Sequence, residues 1–184
     1  RWGTQLSEAL LEESQANNHG WRFSGIPGMV TTDIPWIRQV RRSADGDDTS
    51  VFLSSLSPGG ESNTGVARSP EFSIPGRLRF FIAGHDGFPE RAAQGRNHLR
   101  LRLTDSDEII AQADAPRNDT AQQVDWDLSP YQGRRGALEL TDGDNAGAFA
   151  WLAVGRFAPE IVPLPSQSPQ DRSRDLVLAA QVAA

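Results

Sequence analysis

The sequence predicts an all-β fold, a sandwich of two antiparallel sheets, and three observations carry that expectation. From residue 21 to about 158 the chain consists of short runs rich in Val, Ile, Phe, Trp and Leu, punctuated by Gly, Pro, Asn and Asp, the texture of an antiparallel sandwich. Within His98 to Leu103 the period is two: Leu99, Leu101 and Leu103 alternate with His98, Arg100 and Arg102, so one face is core and the other wet. Polar clusters recur at alternate strand junctions: Gly84-His85-Asp86-Gly87, Arg117-Asn118-Asp119 and Asp142-Gly143-Asp144-Asn145.

The strands follow in order as Trp21 to Gly25, Val51 to Ser55, Glu71 to Ile74, Arg77 to Ala83, His98 to Leu103, Glu108 to Ala113, Gln122 to Leu128, Gly136 to Leu140 and Ala148 to Phe157. Trp126 alternates with Asp125 and Asp127 and is assigned to the core. Trp151 lies in the nearly continuous apolar run 148 to 154, which predicts a strand covered on both faces. Asp127-Leu128-Ser129-Pro130 fits a short helical turn, with a capping side chain just before a first-turn proline.

Short helical segments flank the sandwich in this reading. Residues 1–18 form an N-terminal helix or linker, with Leu6, Ala9 and Leu10 at helical spacing before the stop at Asn17-Asn18-His19-Gly20. The sandwich domain takes residues 19–158. Prolines at 159, 163, 165 and 169 make 159–170 an extended linker, and 171–184 opens a further helical segment leading to a following domain. The chain starts at Arg1 rather than methionine, which suggests a piece of a longer polypeptide.

Composition removes several chemistries. All 18 basic residues are arginine and no cysteine occurs, which excludes a Schiff-base or phosphate-loop lysine, thiol catalysis, a Cys-ligated zinc and a haem attachment within these residues. A net charge of -6 with interspersed signs argues against a nucleic-acid footprint. No run reaches the ~18 apolar residues of a membrane span, so no membrane insertion is expected. Elbow, zinc-helix, phosphate-loop and dinucleotide motifs are missing as well, and the chain is read as non-catalytic.

If neighbouring strands alternate in direction, the three polar clusters share one end of the sandwich, and the loop after Val51 to Ser55 brings Glu61 and Asn63 toward the same end. His85, Asp86, Arg117, Asn118, Asp119, Asp142 and Asp144 then offer carboxylates, amides and guanidinium forks, the inventory that hydrogen-bonds vicinal hydroxyls. Phe88, Phe149 or Trp151 supplies the aromatic platform for a pyranose. The competing reading is turn chemistry, since Asp, Asn and Gly at strand junctions bond local backbone and tolerate positive φ. A structural calcium ion is a further possibility, because paired carboxylates with carbonyls suit a hard cation. Asp45-Gly46-Asp47-Asp48 and Asp142 to Asn145 nevertheless lack the glutamate of a helix-loop-helix calcium loop.

The phrases Gly65 to Ile74, Leu78 to Gly84, Val124 to Leu128 and Gly133 to Leu140 resemble the galactose-binding-like jelly-roll superfamily over roughly residues 50 to 158. More narrowly, Gly84 to Pro89, Ala115 to Asp119 and Asp142 through Phe157 resemble the carbohydrate-binding-module-type domain inside large planctomycete-type secreted proteins that also carry cytochrome c domains. The resemblance implies a jelly-roll sandwich, an exported (periplasmic or extracellular) parent protein with neighbouring domains as partners, and a glycan or polysaccharide as ligand. Ala148-Phe149-Ala150-Trp151 departs from the polar final phrase of sugar-binding relatives. The expected role is thus a non-catalytic carbohydrate-binding-like module, and the alternative is a structural or protein-docking module without a sugar ligand.

Overall fold

Leucines 99, 101 and 103 are buried between two sheets while the arginines alternating with them face outward, and this division of faces organises the whole molecule. A computed structural model describes residues 18–29 and 31–166. The helical segments expected at 5–15 and 171–184 lie outside the described residues.

Eleven strands are formed: β1 (Arg22–Ser24), β2 (Ile37–Val40), β3 (Val51–Ser54), β4 (Gly65–Arg68), β5 (Phe72–Ser73), β6 (Arg77–Asp86), β7 (Asn97–Leu103), β8 (Ile109–Asp114), β9 (Asn118–Asp127), β10 (Arg135–Asp142) and β11 (Ala150–Ala158). One sheet runs β1-β4-β10-β7-β8 with β5 on β10, and the other runs β2-β3-β11-β6-β9. Every strand pairing is antiparallel. The chain is an all-β sandwich of two antiparallel sheets, as its alternation predicts.

Between the sheets lies one core, built from Trp36, Leu53, Leu78, Phe80, Ile82, Leu99, Leu101, Leu138, Leu140, Leu152 and Val154 among others. Trp126 is half-buried against it, its ring edge-on to Phe80 at 4.7 Å. Residues 159–166, read as the start of a linker, lie against the sandwich: Val162 is buried in the core and the Pro163 carbonyl accepts the Trp21 indole N–H at 2.8 Å.

A second apolar cluster, Phe52, Phe81, Ala83, Ala121, Trp151 and Ala153, sits on the outer face of the second sheet. Residues 41–50 cross over this face as a strap. Ala121 N donates to the Arg42 carbonyl at 2.9 Å, Ala44 N donates to the Ala121 carbonyl at 2.8 Å, and Arg156 lies over Phe81 while pairing with Asp45 and Asp47. β11 is therefore covered on both faces, which explains its unbroken apolar run.

The strands differ from the sequence reading in number and in several boundaries. β2 and β4 were not anticipated: Ile-Arg-Gln-Val and Gly-Val-Ala-Arg each carry two apolar side chains and no aromatic one, unlike the equally short β3. β6 and β9 extend into their polar clusters, so that Gly84 opposes Asn118 and Asp86 opposes Ala150. Gly84 is required there: its φ is +124°, and a Cβ would fall 2.1 Å from the Trp151 carbonyl oxygen. β11 begins at Ala150 rather than 148, because Phe149 turns out of the strand at φ +56°. The turn at Ser129–Tyr131 forms as a short 3-10 helix, with the Asp127 carboxylate accepting Ser129 N at 3.0 Å.

Candidate functional site

The end of the sandwich at which β6, β10 and β3 finish is also where β7, β9 and β11 begin. The three polar clusters meet there, and most of their side chains are spent on one another.

Asp86 is buried and accepts four backbone amides: its Oδ2 takes Gln94 N and Gly95 N, each at 2.6 Å, and its Oδ1 takes Arg96 N at 2.9 Å and Asn97 N at 3.3 Å. Arg117, at φ +58°, donates from Nη1 to the Arg91 carbonyl at 2.7 Å and from Nη2 to the Asp86 carbonyl at 2.9 Å. This explains an arginine where a turn needs none: it staples the loop 87–96. Asn118 accepts Thr120 N at 2.9 Å, and Asp144 accepts Ala146 N at 3.2 Å while lying 3.6 Å from the Arg96 guanidinium.

Asn97 was not singled out from sequence, yet it is the knot of this end. Fully buried, it donates from Nδ2 to the His85 carbonyl at 2.8 Å, and its Oδ1 accepts Gly143 N at 2.9 Å and Asp144 N at 3.1 Å. The only hint in the sequence is its place just before the alternating leucines.

Asp142 points between the sheets with no exposed surface, and neither carboxylate oxygen makes a hydrogen bond of normal geometry. Burial pushes its pKa well above the usual carboxylate range, the nearby charges of Asp144 and Glu61 push it the same way, and Ser55 and the Asp144 backbone pull it back only in part. Burial thus favours its neutral form.

What faces solvent is a smaller corner on the outer side of the second sheet. Asp119 has 82% of its side chain exposed and holds His85 Nε2 at 3.1 Å. The His85 ring lies 5.1 Å from Phe149 and 5.8 Å from Trp151, and Phe149 lies 5.4 Å from Phe88. Trp151 is 3% exposed, because the Arg41 guanidinium covers it with Cζ 3.8 Å from the ring centroid. Phe149 is 36% exposed. Its left-handed backbone costs a bulky L-residue about 1–2 kcal/mol, and the peptide that follows it is bonded at both ends: Gly87 N donates to the Phe149 carbonyl, and Ala150 N donates to Glu61 Oε2, each at 2.8 Å.

Among the described residues, no three His, Asp or Glu side chains group closely enough to hold a metal ion together. Asp45 and Asp47 are occupied by Arg156, and Asp86 by its four amides.

These features define an antiparallel sandwich with a rigid, self-bonded loop end and one solvent-facing aromatic and acidic corner. No family model and no curated protein matches the chain. The resemblance to domains of cytochrome-bearing secreted proteins thus rests on the loop phrases alone. Among solved structures the chain is distantly similar to adhesin domains and carbohydrate-binding modules. The K1 cleaved adhesin domain of Lys-gingipain from Porphyromonas gingivalis aligns at 13% identity and TM-score 0.45, over 74% of this chain and 88% of that one. TmCBM61 in complex with β-1,4-galactotriose aligns at 11% identity and TM-score 0.43, over 82% and 92%. An enzymatically active domain also appears, that of tailspike protein 4 of bacteriophage CBA120, at 16% identity and TM-score 0.44, over 82% of this chain and 20% of that one. Among the described residues no helix is long and apolar enough to cross a membrane.

Proposed function

We propose that the chain is a non-catalytic carbohydrate-binding module of an exported multidomain protein, and that it holds a glycan or polysaccharide at the corner formed by Phe149, His85, Asp119 and Glu61. The observation that carries this reading is Phe149. An aromatic ring kept partly in water, on a strained backbone whose following peptide is bonded at both its carbonyl and its amide, is a feature that folding alone does not require. It supplies the apolar face that a sugar ring needs, and the Asp119 carboxylate beside it, braced by the buried His85 imidazole, supplies a hydrogen-bond acceptor.

Of the residues expected at the site from sequence, Asp119 and His85 belong to this corner directly. Trp151 forms its floor beneath Arg41. Asp86, Arg117 and Asp144 hold the loops, Asn118 lies on the rim, and Asp142 sits inside. Binding through a shallow polar surface is modest, at about 1 kcal/mol for each net hydrogen bond.

The test is a glycan array on the chain, run with calcium and again with chelator, comparing wild type with Phe149→Ala and Asp119→Ala. Binding lost in both variants while the thermal melt persists supports the reading. Binding to no glycan sinks it and favours the docking-module alternative.

A further inference from the structure

Arg41 sits in an unusual electrostatic position. Its guanidinium stacks on Trp151, and both Nε and Nη2 donate to the neutral Gln39 Oε1, at 3.0 and 2.7 Å. Burial lowers its pKa below the ordinary arginine value, and the charges of Asp119 and Glu61 pull it back. Those two carboxylates are within electrostatic reach, but neither is in contact: no ion pair among the described residues includes Arg41. Its Nη1 donates to nothing, although it is not sealed from solvent.

The acceptors around it are half used. Asp119 commits Oδ1 to His85 and leaves Oδ2 free, while Glu61 commits Oε2 to Ala150 N and leaves Oε1 free. The corner therefore presents one open donor edge and two open carboxylate oxygens beside the exposed Phe149 ring. Around Trp151 its charged side chains are one guanidinium and two carboxylates; a second guanidinium, that of Arg91, lies on the far side of Phe149, 5.3 Å from the Phe88 ring.

That inventory distinguishes between classes of sugar. A hydroxyl both donates and accepts, so a vicinal diol bridges Arg41 Nη1 and a carboxylate oxygen at once. A uronate or sulfate group only accepts: Arg41 can meet it, but two like charges oppose it. We infer that this site selects uncharged glycans over polyuronates and sulfated polysaccharides, with Arg41 as the hydroxyl-reading donor and Asp119 and Glu61 as the excluding charges. The inference rests on the carbohydrate-binding reading above and adds the ligand class to it.

The experiment measures binding of the chain to neutral polysaccharides (galactan, xylan, β-glucan, mannan) and to acidic ones (polygalacturonate, alginate, a sulfated galactan) by affinity electrophoresis and calorimetry. Wild type, Arg41→Gln, Phe149→Ala and the double variant Asp119→Asn/Glu61→Gln are compared, with thermal melts as the fold control. The double variant alters exposed or half-exposed groups and retains the Glu61 acceptor as an amide oxygen, so it keeps the test valid if Arg41→Gln fails to fold. The expected result is neutral binding by wild type, its loss in Arg41→Gln, and a gain in acidic over neutral preference of about tenfold in the double variant. Phe149-dependent binding that prefers polyuronates in wild type, or an acidic-to-neutral ratio unchanged in the double variant, overturns the inference and leaves the binding function standing. Binding to none of these polysaccharides, neutral or acidic, overturns both.

Discussion

The side-chain amide of Asn97 donates to the carbonyl of His85 at 2.8 Å, and this bond ties the start of a strand in one sheet to the end of a strand in the other. The same side chain receives the amides of Gly143 and Asp144, so the polar segments around His85 and Asp144, far apart in sequence, close on a single residue. Replacing Asn97 by Ala leaves buried or partly buried backbone groups unpaired. Chemical denaturation is expected to show a loss of about 2–3 kcal/mol, and a change under 0.5 kcal/mol would contradict the role given to Asn97.

Asp86 is the acceptor for the amides of residues 94 to 97. Asp86→Ala removes all four acceptor contacts and is expected to destabilise by more than about 2 kcal/mol. Hydrogen exchange at residues 94 to 97 reports the loss directly. Any loss of ligand binding in this variant then follows from disorder of the loop 87–96 and not from a missing ligand contact.

Folding raises the pKa of Asp142 above that of the unfolded chain, because burial disfavours the charged form. Its contribution is therefore complete below the unfolded value of about 3.9 and is lost as pH rises through the folded value. Asp142→Asn removes this titration. The variant is expected to match wild type near pH 4 and to be the more stable of the two at pH 8. Thermal melts across that range test it, and equal melting temperatures at pH 8 would refute a buried neutral acid.

Phe149 is held at φ +56° with its ring partly in solvent. Phe149→Gly relieves the backbone strain and discards the platform. Stability is expected to stay level or rise by about 1 kcal/mol, while glycan binding disappears. Retained binding to the same glycan would remove Phe149 from the site.

Much of the fold was legible because burial leaves a period. The alternation of Leu99, Leu101 and Leu103 with polar residues announces a sheet with one wet face, and the continuous run in 148 to 154 announces a strand covered twice. The meeting of the three polar clusters followed from strand parity alone. β2 and β4 escaped, since Ile-Arg-Gln-Val and Gly-Val-Ala-Arg carry only two apolar side chains each and no aromatic. Arg41 escaped too, although period two places it on the same strand face as Gln39, because nothing local marks the tryptophan 110 positions later that it covers.

By itself, then, the sequence determined the class of fold, the absence of lysine and thiol chemistry, and the end of the sandwich to which the polar clusters belong, because composition and alternation are properties of the chain. Only the tertiary structure decided which of those polar groups remain available. Asp86, Arg117 and Asn97 face backbone amides and carbonyls brought in by other strands, and a buried group must satisfy its hydrogen bonds before it can offer any to a ligand. Asp119, Phe149 and Arg41 are left facing outward by the same packing, and no reading of neighbours along the chain separates the two sets.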